Sequence, residues 1–216
     1  REFNEIRETL EYLREDNKSK HYKTLYSQFI KAMPNSEVLY LFLKRSFEDT
    51  LKKADKNDEN RANIYAWSWA YGAQAAGLAY KLTKDERFHD LIVSSFDVIL
   101  KFRDSERKKL DQVRRKVLSS LGNGVRLQNK WTNSVTTAGR ITYPVSLFCK
   151  IVLDDRRLHP KYLSKSKEYL KSIRLAIDSF EEDFRTTPNL NEGYYWRTTH
   201  NDVEPLNHAH AVGNTL

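Results

Sequence analysis

Residues 63–82 read "NIYAWSWAYGAQAAGLAYKL", and this stretch decides the fold. Apolar side chains recur in it at spacings of three and four, the spacing that gathers side chains on one face of a helix. They do so on two faces at once. The two sets are Ile64, Trp67, Tyr71, Leu78 and Leu82, and Trp69, Ala73, Ala76 and Tyr80. The pattern predicts a helix that packs against neighbours on both sides.

The same spacing continues outward from this helix in both directions. It marks residues 3–13, 22–33, 36–51, 88–102, 110–121, 135–153 and 162–184 as further helices. Two stretches interrupt it, 122–134 and 186–204, and the first of these combines two glycines with asparagines, which favours irregular backbone. No segment alternates polar and apolar residues over a useful length, so the chain is predicted to be all-α.

Consecutive helices with short connectors form antiparallel hairpins. The stretch "WSWAYGAQAAGLAYKLTKDERFHDLIVSSFDVILKFRD" (67–104) resembles the hairpins of α/α-toroid carbohydrate-active enzymes, with an aromatic inner helix, a Thr-Lys-Asp turn and an outer helix that ends in Arg-Asp. "TTAGRITYPVSLFCKIV" (136–152) and "EGYYWRTTHNDVEPLNHAHAVGNTL" (192–216) are similar to later helices and rim loops of that architecture. The resemblance covers roughly residues 60–216.

This resemblance implies a fold and a group of functions. The fold is an incomplete α/α-toroid of antiparallel hairpins, because the chain is shorter than a full ring. Residues 1–216 are interpreted as a single all-α domain that forms the N-terminal portion of a larger toroid. The remaining helices of that toroid would then pack against this domain as its partner. The architecture includes polysaccharide lyases, uronic-acid C5-epimerases and glycoside hydrolases. It implies an acidic polysaccharide as partner and a secreted or periplasmic location, although no signal peptide precedes Arg1.

The charge of the chain is uneven. It holds 37 Lys and Arg against 29 Asp and Glu, and residues 61–160 carry 18 of the basic and 9 of the acidic residues. Such a surplus favours a polyanion as ligand. The runs "RDSERKK" and "DQVRRK" mix signs, however, as solvated helix faces do. The lone Cys149 excludes an intrachain disulfide, and no apolar run approaches the roughly 18 residues of a membrane span.

The polar residues of "VEPLNHAHAVGNTL" (203–216) stand at a predicted helix start. Pro205 suits the first turn, so Asn207 and His210 share a face while His208 points about 100° away. A uronate lyase must neutralise the substrate carboxylate, remove the adjacent proton and protonate the leaving oxygen. Asn, His and Tyr side chains can perform these tasks. The predicted catalytic residues are Asn207, His208, His210, Tyr143 and Tyr195.

Aromatic side chains in the irregular stretches suit a sugar cleft, since flat rings stack on pyranose faces. They could equally close the ends of helices. The predicted substrate-binding residues are Arg126, Trp131, Asn133, Arg140, Glu192, Tyr194, Trp196 and Arg197.

Two other functions remain open. A glycoside hydrolase needs two carboxylates across a cleft, for which Glu192, Asp202 and Glu204 are the candidates. A helical-repeat polyanion-binding protein without chemistry is the other alternative. Nucleic acid ranks below polysaccharide because no recognised nucleic-acid motif and no repeated basic stripe occur. Neither a metal nor a cofactor is predicted, because His208 and His210 diverge on a helix and no HExxH or Cys pair accompanies them.

Overall fold

The computed structural model describes residues 36–125, 130–186, 188, 193–197 and 202–203. The described part is mostly helical, which confirms the helical class predicted from the sequence. The helices predicted at 3–13 and 22–33 lie outside the described residues. Among the described helices, none combines the length and the apolarity that crossing a membrane requires.

The helices follow one another along the chain with short connections. In chain order they are α1 (Ser36–Asp55), α2 (Arg61–Ile64), α3 (Ala70–Thr83), α4 (Arg87–Leu100), α5 (Asp104–Arg107), α6 (Val135–Asp154) and α7 (His159–Asp178). A π-helical turn, Tyr65–Trp69, joins α2 to α3, so that residues 61–83 form one continuous rod. Pro144 lies inside α6 and Pro160 lies in the first turn of α7. The predictions for 63–82, 88–102 and 135–153 are therefore confirmed.

Two helical hairpins lie side by side. Trp69 bonds Ser95 and Tyr80 contacts His89, so α3 and α4 are antiparallel. The α6–α7 hairpin is antiparallel as well, with Cys149 beside Ser166. The two hairpins contact each other through α3 and α6, and the residue numbers of the contacts increase along both helices. Leu147 of α6 lies against Gly77 of α3, and Asp155, just after α6, accepts a hydrogen bond from Tyr80 of α3. The helices α3 and α6 therefore run in the same direction.

The outer helices α4 and α7 also run in the same direction. Tyr162 donates to Asp90 at 2.8 Å, and about two turns further along both helices Tyr169 donates to Asp97 at 2.8 Å. The core lies between these four helices and α1. It contains the buried side chains Leu43, Phe47, Trp69, Phe88, Ile92, Phe96, Val145, Phe148 and Tyr169.

The predicted helix at residues 110–121 is wrong. Asp111 accepts hydrogen bonds from the backbone N–H groups of Val113 and Arg114, and the Arg115 N–H bonds the Asp111 carbonyl oxygen at 2.8 Å, so a single capped turn forms here. Arg115 then takes a left-handed conformation with φ 55°, which ends any helical path. Leu110 and Val117 are exposed, so the apolar spacing there does not correspond to a buried face.

The two stretches predicted to be irregular contain short strands. Strands β1 (Gly122–Asn123) and β2 (Thr132–Asn133) pair antiparallel, with Gly122 opposite Asn133. A three-stranded sheet, β3–β4–β5, is formed by Phe184–Thr186, Gly193–Arg197 and Asp202–Val203. The helical pattern predicted to reach residue 184 stops at Asp178, and Phe184 already belongs to β3. Strands this short give little periodicity to detect in the sequence.

Candidate functional site

An exposed cluster of two aromatic rings and one arginine lies between the neighbouring helices of the two hairpins. The Arg140 guanidinium carbon sits 3.7 Å from the centroid of the Trp67 ring and 5.7 Å from that of Tyr71. Arg140 also donates to the Tyr71 hydroxyl at 2.8 Å. Trp67 and Tyr71 remain 38% and 51% exposed. The cluster thus presents a fixed positive charge beside flat rings at a solvent-facing position.

Residues 63–82 pack against α1, α4 and α6, so neighbours lie on more than one side as predicted, but one of the two predicted stripes is mostly exposed. Trp69, Ala73, Ala76 and Tyr80 are buried as one stripe, but Trp67, Tyr71 and Leu78 of the other stripe are exposed. The π-helical turn at Tyr65–Trp69 inserts one residue into the regular pattern at this point. The exposed aromatic stripe is the feature that sequence reasoning missed.

Tyr143 follows Arg140 by three residues on α6, so the two side chains occupy neighbouring positions on the same helix face. Tyr143 is half-buried. Of the residues predicted from the sequence, Arg140 and Tyr143 are thus the two that lie close to each other on this surface.

Trp131 and Asn133 do not fit the substrate-binding role predicted for them, because both are buried. The Trp131 indole donates to Asp104 at 2.9 Å, and Lys109 Nζ covers its ring at 3.1 Å from the centroid. Asn133 donates to the same carboxylate at 2.7 Å. A Cβ on Gly122 would collide with the Trp131 indole nitrogen, so this position requires glycine. These residues hold the loops together and offer no ring to a sugar.

A second buried carboxylate, Asp111, completes this network. It accepts hydrogen bonds from Arg114 at 2.9 Å and from the Asn133 N–H at 2.9 Å, in addition to the two backbone groups of its own turn. Arg114 in turn bonds Asp183 at 2.6 Å, which ties the loop to the end of α7. Burial raises the pKa of Asp104, while hydrogen bonds from Asn133 and Trp131 act in the opposite direction. The network holds α5, the turn at Asp111 and β2 together through side-chain hydrogen bonds.

The aromatic residues of β4 lie in the small sheet. Tyr195 packs edge-on against Phe184 with the ring centroids 5.2 Å apart, and it covers a small apolar cluster that includes Phe180. Burial raises the pKa of Tyr195, which makes it a weaker proton donor at neutral pH. Tyr194 and Trp196 are half-buried, and Arg197 is the last residue of the strand.

The remaining predicted site residues cannot be placed against this surface. Asp202 belongs to β5. Outside the described residues lie Asn207, His208, His210, Arg126, Glu192 and Glu204. Their roles stay predictions.

His89 is a buried histidine that sequence reasoning did not single out. Its ring lies 3.9 Å from that of Tyr80 and within 6 Å of those of Phe148 and Tyr162, measured between centroids. Neither ring nitrogen has a hydrogen-bond partner among the residues that the structure describes. Burial lowers the pKa of His89 to about 4, so the imidazole is neutral at pH 7. A neutral, enclosed ring of this kind is a packing residue and not an acid–base catalyst.

Within the described part of the chain, no group of three or more His, Cys, Asp or Glu side chains could hold a metal ion. Comparisons with protein-family models, with curated proteins and with solved structures each returned no significant match.

Proposed function

We propose that the protein acts on an acidic, uronate-containing polysaccharide by β-elimination or C5-epimerisation. The observation that supports this most directly is the Arg140–Trp67–Tyr71 cluster. A guanidinium group can bind a carboxylate through two parallel hydrogen bonds, and an exposed indole can stack on the apolar face of a sugar ring. A uronate residue carries both of these features on one ring.

The arrangement of the helices also favours this proposal. In an α/α-toroid, the inner helices of successive hairpins run in one direction and the outer helices run in the other. The α3–α4 and α6–α7 hairpins follow that pattern, with α3 beside α6 and α4 beside α7. In a toroid, α3 and α6 would be inner helices, and Trp67, Tyr71 and Arg140 would face the substrate cleft.

The proposed chemistry assigns a task to each group. Arg140 binds the uronate carboxylate and withdraws negative charge, which acidifies the proton on the adjacent carbon. A base takes that proton. In elimination the bond from the neighbouring carbon to the glycosidic oxygen then breaks, a double bond forms, and the leaving oxygen takes up a proton. In epimerisation the proton returns from the opposite face. Tyr143 is the candidate for one proton transfer, and His208 or His210, beside Asn207, is the candidate for the other.

Replacing Arg140 with alanine should weaken binding of uronate oligosaccharides about 10- to 100-fold, because a charge-assisted hydrogen bond contributes about 1.5–3 kcal/mol. Isothermal calorimetry with oligogalacturonate measures this effect. Arg156→Ala is the matched control, since Arg156 is exposed beyond the far end of α6 and its loss changes net charge equally. Equal weakening in both variants would show that overall charge, and not the cluster, drives binding.

The reaction itself is tested on the parent chain with a panel of uronate polymers. Elimination produces unsaturated uronate ends that absorb in the ultraviolet, and epimerisation exchanges the C5 proton with solvent deuterium. New reducing ends without that absorbance would instead favour hydrolysis by carboxylates among Glu192, Asp202 and Glu204. Binding without any product would leave a non-catalytic helical polyanion-binding protein. A polysaccharide substrate agrees with a secreted or periplasmic location, which remains part of the proposal.

A further inference from the structure

The segment 101–116 buries two of its three acidic residues, whereas most of its basic residues are exposed or half-buried. It contains eight Lys and Arg residues and three acidic residues, Asp104, Glu106 and Asp111. Asp104 and Asp111 are fully buried, and Glu106 is paired with Arg103 at 2.8 Å. The mixed signs of the sequence therefore do not correspond to a balanced surface.

Two cations of this segment lie over the Trp131 ring, Arg107 at 5.4 Å and Lys109 at 3.1 Å from its centroid, and the other cations of the set belong to the same two loops. We call the set Arg107, Lys108, Lys109, Arg115, Lys116 and Lys130 the cationic surface. Gln112 and Trp131 exchange two hydrogen bonds, at 2.7 and 2.9 Å, which hold the loop that carries Arg115 against the loop that carries Lys130. The surface is thus assembled from two separate loops on the buried network of Asp104 and Asp111.

Three of these cations have no acidic partner. Lys108, Arg115 and Lys130 are exposed and form no salt bridge with any residue that the structure describes. Arg107 and Lys109 share the single carboxylate of Asp58, and Lys116 pairs with the exposed Glu182. The exposed Lys116–Glu182 pair is weak, and Asp58, which also pairs with Arg61, cannot neutralise three cations, so positive charge remains for an anionic ligand.

Lys108 and Arg115 also occupy left-handed backbone conformations, with φ 52° and φ 55°. Such positions usually hold glycine or asparagine, because a side chain there costs about 1–2 kcal/mol. Here both side chains are long cations at the edge of one surface.

The cationic surface lies at the same end of the helices as the Arg140 cluster. Asp58, which holds Arg107 and Lys109, comes just before α2, and Trp67 follows the start of α2 by less than two turns, about 9 Å. Arg140 is about 8 Å along α6 from its first residue, and Trp131 precedes that helix by four residues. A ligand longer than a few sugars could contact both places.

We infer that the cationic surface is a second binding site for the acidic polysaccharide, one that captures the chain by charge while the Arg140 cluster holds an individual uronate. This inference rests on the proposed function. Trp131 is buried under Lys109 and offers a ring neither to a sugar nor to a base, so this surface binds by charge. A polysaccharide is favoured over a nucleic acid because the Arg140 cluster, at the same end of the helices, suits a uronate. The neighbouring α5 has four residues, too few to occupy a major groove.

The double variant Lys108→Gly/Arg115→Gly tests the inference. Glycine accepts both left-handed conformations, so the charge is removed without straining the backbone, and the thermal unfolding midpoint should not fall. Binding of polygalacturonate at low salt should weaken about 3- to 10-fold, and the difference should shrink as salt screens the exposed charges. Dextran, a neutral polymer, should show no difference between the variant and the parent.

The matched control is Lys84→Gly/Arg156→Ala. Lys84 has φ 58° and lies at the far end of α3, so this pair also removes two charges and one left-handed lysine, but outside the cationic surface. Equal weakening in the control, or no weakening in the test variant, would overturn the inference. Tighter binding of mixed-sequence DNA than of polygalacturonate, lost in the test variant, would overturn it in favour of a nucleic acid. If Arg140→Ala leaves polygalacturonate binding unchanged while the glycine variant weakens it, the cationic surface stands and the proposed uronate site fails.

Discussion

Replacing Asp111 with alanine is expected to lower the free energy of unfolding by about 3–5 kcal/mol, the range measured when one partner of a buried ion pair is removed. Asp111 is fully buried and accepts hydrogen bonds from the Arg114 guanidinium, from the Asn133 N–H and from the N–H groups of Val113 and Arg114. Without the carboxylate, these donors lose their acceptor and a buried cation keeps only Asp183 as its acidic partner. Urea unfolding followed by circular dichroism measures the loss.

Two further variants show whether the buried network causes this effect. Asp111→Asn keeps the oxygen that caps the turn but removes the charge, so its unfolding midpoint should lie between those of the parent and the alanine variant. Asp49→Ala removes an exposed aspartate that pairs with Arg45 on α1, and it should change the midpoint little. If Asp111→Ala and Asp49→Ala unfold at the same urea concentration, Asp111 does not hold the loop.

Acid should destabilise the protein through His89 in a defined pH range. Burial lowers its pKa to about 4 in the folded chain, whereas an unfolded histidine titrates near 6.5. Between these values the unfolded chain binds a proton that the folded chain does not, so falling pH favours unfolding. The difference between the two pKa values corresponds to about 3 kcal/mol in the free energy of unfolding. The protein has this stability above pH 6.5 and loses it progressively as the pH falls to about 4.

The variant His89→Leu isolates this contribution. Leucine has no group to protonate, so acid should destabilise the variant less than the parent. Between pH 7 and pH 4, the decrease in the free energy of unfolding should be about 2–3 kcal/mol smaller in the variant. The comparison uses the change with pH within each protein, because the substitution also alters packing against Tyr80. Asp58 does not interfere: burial alone would raise its pKa, but hydrogen bonds from Arg107 and Lys109 lower it to about 2, so it contributes below this range. Parallel pH profiles for parent and variant would contradict the assignment.

Helical periodicity predicted the long elements of this fold well. Residues 63–82, 88–102 and 135–153 are helical as expected, and Pro144 is accommodated within its helix. Long helices repeat the same local interactions over several turns, so their signal is strong in the sequence. The segment 110–121 has a similar apolar spacing but forms only a single turn, because Arg115 takes a left-handed conformation and the Asp111 N–H bonds the Lys116 carbonyl oxygen across that turn.

The candidate site was less predictable than the fold. Arg140 and Tyr143 were identified from the sequence, but their neighbours Trp67 and Tyr71 were expected to be buried. Conversely, Trp131 and Asn133 were expected on an open sugar-binding surface and are inside the protein. In each case the residue type was compatible with either position, since aromatic side chains serve both cores and sugar clefts.

The sequence by itself determined which side chains share a helix face and where the positive charge lies along the chain. Only the tertiary structure decided which face is covered, because that depends on neighbours brought together from distant positions. Trp67 lies partly exposed beneath Arg140 of α6. Positive charge prevails on the surface of segment 101–116 because Asp104 and Asp111 are buried, bonded to residues about twenty to thirty positions away. Periodicity is a local property, whereas burial is a property of the packed chain.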